Sequence, residues 1–135
     1  MALCVWKEAR GEGDLGMQAV AWVIRNRAVD WYRNQQSPIH LVVYGKNQFT
    51  SMSVPEDPEF NLAPDADDPQ YLYCLGLCPD ILTAQATDVT NGSHYYCNLA
   101  EATSGWFSRN ISGPDGKGTP NHKLLAAIGR QMFYQ

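Results

Sequence analysis

The sequence predicts an α+β fold, mostly helical with a small β element. Residues 15–28 place Met17, Val20, Ala21, Ile24 and Ala28 at i, i+3, i+4, i+7 and i+11, a helical stripe. Residues 93–97, Ser-His-Tyr-Tyr-Cys, are aromatic-rich and follow the turn signal Asn91-Gly92, which reads as a strand. The 135 residues are 44% hydrophobic and 18% charged, enough to build a core within one domain over 1–135.

Residues 2–10 read as a short helix with Leu3, Val5, Trp6 and Ala9 inward, ended by Gly11 and Gly13. Asp14 stands where an N-cap would open the 15–28 helix. Ala19, Trp22 and Val23 make the opposite side of that helix apolar too, so it should be central and buried. Arg25, Asn26 and Arg27 should mark its emergence into solvent. Residues 38–45 are apolar and too short to classify.

Residues 55–69 hold four prolines and six acids without one base, a solvated irregular loop placed to border a cleft. Asp68-Pro69 reads as an N-cap with proline at the first helical position. The helix it opens should end near 77, and Pro79 should start another that ends near Thr87. A partner for the 93–97 strand is expected near Trp106-Phe107. Residues 112–121, with three glycines and two prolines, should be a loop, and residues 122–130 a final helix.

The net charge of −4 argues against a general nucleic-acid binder. No apolar run approaches the length of a membrane helix. Lys7, Glu8, Arg10, Glu12 and Asp14 interrupt the N-terminus before a signal-peptide core develops, so synthesis without such a signal, in the cytoplasm, is expected. Cys4, Cys74, Cys78 and Cys97 read as free buried thiols, with Cys74 and Cys78 stacked on one helix face. Together with His40, His94 and His122 they lack paired Cys-x-x-Cys spacing, so neither a metal site nor a cofactor is expected. Ser104, Ser108 and Ser112 have no nucleophile-elbow context.

The stretch Trp6-Lys7-Glu8-Ala9-Arg10-Gly11-Glu12-Gly13 carries the chemistry. Glu8 ends an apolar run, and a carboxyl held against apolar groups resists ionisation, as a general acid near neutral pH must. Glu8 and Glu12 are four apart and would repel on a continuous helix. Gly11 breaks that helix, so the two side chains should diverge. Glu12 then reads as structural support, in a salt bridge to Arg10, Arg25 or Arg27 or as a backbone cap. The residues alone leave Glu8 open between a surface glutamate and an acid.

Several blocks in order extend this reading. They are Trp6 to Glu12, Gly16-Met17-Gln18-Ala19-Val20-Ala21 and Asn26-Arg27, then Val42-Val43-Tyr44 with Gln48-Phe49-Thr50. Asp88 to Tyr96 and Ile128 to Tyr134 complete them. Across these blocks the chain resembles the spore cortex-lytic, cell wall hydrolase family, and its length and expected lack of a signal peptide resemble the phage-encoded versions that act as endolysins. The resemblance implies a lysozyme-like, transglycosylase-like domain that cuts the glycan strands of peptidoglycan at the cell wall, with Glu8 as acid/base. The family often has Pro, Ala and His where this chain has Val89, Ser93 and Gln131.

A glycosidic bond breaks when a neutral acid protonates the leaving oxygen, and most hydrolases add a second carboxylate. A lytic transglycosylase uses one acid that turns base while the sugar's own C6 hydroxyl attacks. With one glutamate matched, transglycosylation leads over muramidase-type hydrolysis. Asp57 or Glu59 of the acidic loop would be the second acid for hydrolysis.

Gln48, Phe49, Ser93, Tyr95, Tyr96 and Trp106 are the expected sugar contacts. Each has a plain alternative. Gln48 would cap a turn, Phe49 and Trp106 would pack in the core, and Ser93 would bind its own backbone. Tyr95 and Tyr96 should point to opposite faces of a strand, one to the core and one to the cleft. The partner implied is a peptidoglycan strand, met by a monomer. The rival reading, a noncatalytic glycan-binding or virion structural module, would keep the aromatics and lose the acid.

Overall fold

Helices fill the first two thirds of the chain and a sheet closes the last third, in a computed structural model that describes residues 1–98 and 105–135. Ser104 lies outside the described residues. Helix α1 (Ala2–Ala9) runs into a 3-10 turn at Arg10–Glu12, and helix α2 spans Gly13–Tyr32. Gly13, at φ +72°, turns the chain between them in a conformation that side chains resist. Asp14 sits inside the first turn of α2 rather than capping it; Glu12 holds the cap position and makes no side-chain cap bond.

The two-sided burial expected of α2 is present. Met17, Val20 and Ile24 pack with Cys4, Val5 and Ala9 of α1, while Ala19 and Val23 pack on Ile128 and Phe133 of the sheet. Each such aliphatic side chain contributes about 1.5–3 kcal/mol by leaving water. The expected emergence at Arg25-Asn26-Arg27 is corrected. Asn26 and Arg27 are each 7% exposed, and the helix continues to Tyr32. They stay inside because each finds oxygen partners there, which removes the penalty for burying a donor.

Residues 38–45 form a short helix α3 (Pro38–Val43), and α4 is one turn (Thr50–Ser53). The acidic loop is irregular, as expected, and is fastened to α1. Lys7 Nζ donates to the carbonyls of Ser51 (3.1 Å) and Phe60 (2.6 Å), and Arg10 pairs with Glu59 at 2.6 Å.

Helix α5 (Pro69–Leu82) opens on Asp68, whose carboxylate accepts from Tyr71 N. The break expected before Pro79 does not occur. Cys74, Cys78 and Ile81 keep one inward stripe across the proline, and that packing outweighs a missing backbone bond. All four cysteines are buried free thiols. Burial pushes the Cys4 thiol far up, and burial above all lifts Cys74 to about 12, so both stay protonated and inert. No described helix is long and apolar enough to cross a membrane.

The sheet comprises β1 (Tyr95–Asn98), β2 (Gly118–Thr119), β3 (His122–Ile128) and β4 (Gln131–Tyr134), antiparallel in the order β1-β4-β3-β2. Three expectations are corrected here. Residues 122–130 are strand and turn, not helix. Their Leu-Leu-Ala-Ala favours a helix locally, but β3 pairs on both sides, and Gly129 at φ +57° opens a two-residue turn into β4. Trp106-Phe107 belongs to a helical turn (Gly105–Phe107) continued by a π-type turn (Ser108–Ser112), so the partner of β1 is β4. The loop expected over 112–121 contains the edge strand β2. Its Gly118 is obligatory, since a Cβ there would stand 2.2 Å from His122 O.

Candidate active site

A cleft of about 840 Å³ opens between the α1–α2 corner with residues 47–50 on one side and β1 with Trp106 and Phe107 on the other. Glu8 reaches it from the last turn of α1, half-buried. Both its oxygens are occupied. Ser51 Oγ donates to Oε1 at 2.5 Å, and Tyr96 Oη donates to Oε2 at 2.7 Å.

The two donors are themselves held. Lys7, beside Glu8, binds the Ser51 carbonyl, so adjacent residues of α1 grip one serine. The Tyr96 ring stacks on Phe133 with centroids 5.9 Å apart, and the residue lines the cleft. Desolvation, and then the Glu8 charge, push this phenol well above its ordinary value. Tyr96 therefore keeps its proton and donates it to the carboxylate.

Arg27 forms the wall behind. Its Nε donates to His94 O (2.5 Å) and its Nη1 to Gln48 Oε1 (2.9 Å). The guanidinium lies over Trp31, Phe49 and Tyr95, 5.3, 5.2 and 5.8 Å from their centroids. One residue earlier, Asn26 Nδ2 donates to Asp88 Oδ2 (3.0 Å) and to Ser93 O (3.3 Å). Asp88 also accepts from Thr90 N, Thr90 Oγ1 and Gly92 N. Burial raises the Asp88 carboxyl, but these bonds from Thr90, Asn26 and Gly92 outweigh it and leave it below the ordinary value. The 88–94 turn is thereby fixed, and it launches β1 toward Glu8.

The other expected sugar contacts divide. Gln48, Phe49, Tyr95, Tyr96 and Trp106 line the cleft. Gln48 accepts from Arg27, Phe49 is 2% exposed and also belongs to the core, and Trp106 is 62% exposed at the rim. Tyr95 meets His122 edge-on at 5.1 Å. Both tyrosines reach the cleft, contrary to the alternation expected. Strand β1 is the edge of the sheet, so the cleft wraps around it. Ser93 is corrected. It is fully buried away from the cleft, and its hydroxyl donates to Thr90 O at 2.7 Å.

Glu12 is also corrected. It lines the same cleft as Glu8, and its partner is Arg130 of the β3–β4 turn at 2.5 Å rather than Arg10, Arg25 or Arg27. Arg130 is exposed, so this pair holds little. Arg130→Ala is expected to leave the Tm almost unchanged; a drop of many degrees in a thermal melt would contradict this. Asp57 and Glu59 are engaged elsewhere. Asp57 accepts from Thr50 Oγ1 and Glu59 N, and Glu59 pairs with Arg10. Among the described residues, the carboxylates on the cleft wall are Glu8 and Glu12.

Sequence reasoning missed Ser51, Arg27, Lys7 and Trp31. Ser51 stands one position past the block Gln48-Phe49-Thr50, and Arg27 is within the block Asn26-Arg27, where its charge argued for solvent.

Residues 11–134 match the family described as Cell Wall Hydrolase. The chain belongs to this cell wall hydrolase family. Glu8 stands three residues ahead of the matched stretch. Among solved structures, the catalytic domain of the Bacillus cereus SleB protein is 26% identical, with a TM-score of 0.66 over 100% of this chain and 86% of that one. The catalytic domain of the germination-specific lytic transglycosylase SleB from Bacillus anthracis is likewise 26% identical, with a TM-score of 0.66 over 100% of this chain and 90% of that one. No curated protein matches the chain. The cell wall hydrolase fold here is thus the lysozyme-like α+β arrangement expected.

Proposed function

We propose that residues 1–135 form one catalytic domain, acting as a monomer, that cleaves peptidoglycan glycan strands between N-acetylmuramic acid and N-acetylglucosamine by lytic transglycosylation. The observation that carries this is the seating of Glu8. A carboxyl group stands at the wall of a long cleft, and two neutral hydroxyls donate to it. The family membership and the likeness to a lytic transglycosylase catalytic domain support the same reading.

Protonated Glu8 gives its proton to the glycosidic oxygen, and the C1–O bond breaks as positive charge develops on the muramic ring. The resulting carboxylate is stabilised by the Ser51 and Tyr96 hydroxyls. It then removes the proton of the C6 hydroxyl while that oxygen bonds to C1. Glu8 ends as it began, and no water is consumed. Phe49, Tyr95 and Trp106 offer aromatic surface along the cleft for the sugars, while the Gln48 amide is taken up by Arg27.

The products test this. Muropeptides released from purified walls are expected to end in 1,6-anhydro-muramic acid, one water lighter than muramidase products by mass spectrometry. Reducing ends alone would show hydrolysis. Glu12 is the observation that favours that second reading, since it lines the same cleft and is the place to look for a base. Walls left uncleared while the protein still sediments with them would support a noncatalytic glycan-binding or virion module. Use as a phage endolysin in host lysis belongs to the same proposal and rests on the resemblance to phage-encoded members.

A further inference from the structure

Arg27 is a buried cation whose fork is taken up by neutral oxygens. Its side chain is 7% exposed, and the ion pairs among the described residues do not include it. Three aromatic faces and two neutral oxygens surround it instead. Leaving a guanidinium so placed is expensive unless its charge or its fork has a use.

The fork has one. Nη1 holds Gln48, three residues before Ser51, and Nε holds His94, two residues before Tyr96. Ser51 and Tyr96 are the two donors to Glu8. One guanidinium therefore ties together the two segments that deliver hydroxyls to the two oxygens of one carboxylate. Arg27 and Glu8 line the same cleft.

We propose that Arg27 is the positioning residue of the Glu8 centre: its fork braces the Ser51 and Tyr96 segments together, so that both hydroxyls meet the two oxygens of Glu8. The proposal rests on the reading of Glu8 as acid and base.

The test reads the carbon-13 shift of the Glu8 carboxyl at one fixed pH, which reports its hydrogen bonds, together with kcat and KM on purified walls. Arg27→Lys keeps the charge and loses the fork, so the shift is expected to move as the Ser51 and Tyr96 donors loosen, and kcat to fall at least about tenfold with KM nearly unchanged.

Gln48→Leu keeps Arg27 intact and cuts one arm of the brace, which keeps the idea testable if Arg27 variants do not fold. There kcat should fall with KM nearly unchanged, whereas a sugar contact at Gln48 would raise KM. An unmoved carboxyl shift in folded Arg27→Lys, or unchanged kcat in Gln48→Leu, overturns the proposal. The shift reads Glu8 without any turnover. Clearing of walls by Glu8→Gln would therefore refute the role of Glu8 separately from the effect of Arg27.

Discussion

Glu8→Gln is expected to abolish the clearing of peptidoglycan, with a loss of at least about a hundredfold in rate. The substitution keeps the shape and removes the proton that must reach the glycosidic oxygen. An amide cannot accept from Ser51 and Tyr96 on both of its arms, because one arm is now a donor. One hydroxyl must rotate to accept, and both can do so. Loss of two charge-assisted bonds is offset by relief from holding a carboxylate half out of water, so stability should move by no more than about 1 kcal/mol. Turbidity clearing and a thermal melt on the same sample check both halves. Near-normal clearing by a folded Glu8→Gln protein would remove Glu8 from the mechanism.

Asp88→Ala should give the largest loss of stability, about 3 kcal/mol. The carboxylate gathers four donors from Asn26, Thr90 and Gly92, and its removal leaves the Thr90 and Gly92 N–H groups without that acceptor and Asn26 with only its longer bonds to Thr90 Oγ1 and Ser93 O. The sign of the pH dependence follows from its depressed pKa in the folded state. The stabilisation is present above the unfolded value, near 3.9, and drains away as pH falls through the lower folded value. Melts of Asp88→Ala should therefore approach those of the unsubstituted protein as the medium is acidified below about pH 4. A variant within about 0.5 kcal/mol of the unsubstituted protein at neutral pH would show that the turn is held by other means. Activity should fall too, since this turn aims Tyr96 at Glu8.

Features written in a short window of sequence were legible before the structure. Helix α1, the Asp68 cap and strand β1 each depend on neighbours within about four residues, whereas the residues around Glu8 alone leave it a surface glutamate and only the resemblance across the chain raises it to an acid. The failures have one cause. Asn26 and Arg27 were assigned to solvent because a polar run at a helix end usually lies there, yet their partners Asp88 and His94 are more than sixty positions away. Residues 122–130 read as a helix because Leu124 to Ala127 favour one. The counter-signal was Gly129-Arg130, a glycine-first two-residue turn before Gln131-Met132-Phe133-Tyr134. The glutamates were expected to diverge because Gly11 interrupts the helix. The 3-10 turn bends the chain without turning Glu12 away from the cleft.

The bond from Tyr96 to Glu8 spans 88 positions, and Tyr96 sits on a strand whose hydrogen-bonded neighbour is Gln131–Tyr134. On a ribosome these parts emerge in an order that matters. Glu8 leaves the tunnel first, and the tyrosine that seats it follows much later. The strand that secures the tyrosine appears only when residue 134 has been translated. Helices α1 and α2 are free to pair early, since their contacts are close in sequence, but the sheet has to wait. A nascent chain halted before Gln131 would carry its acid loosely, with no fixed hydroxyl from β1 to meet it. The seating of Glu8 therefore waits for residues 131–134 of the sheet.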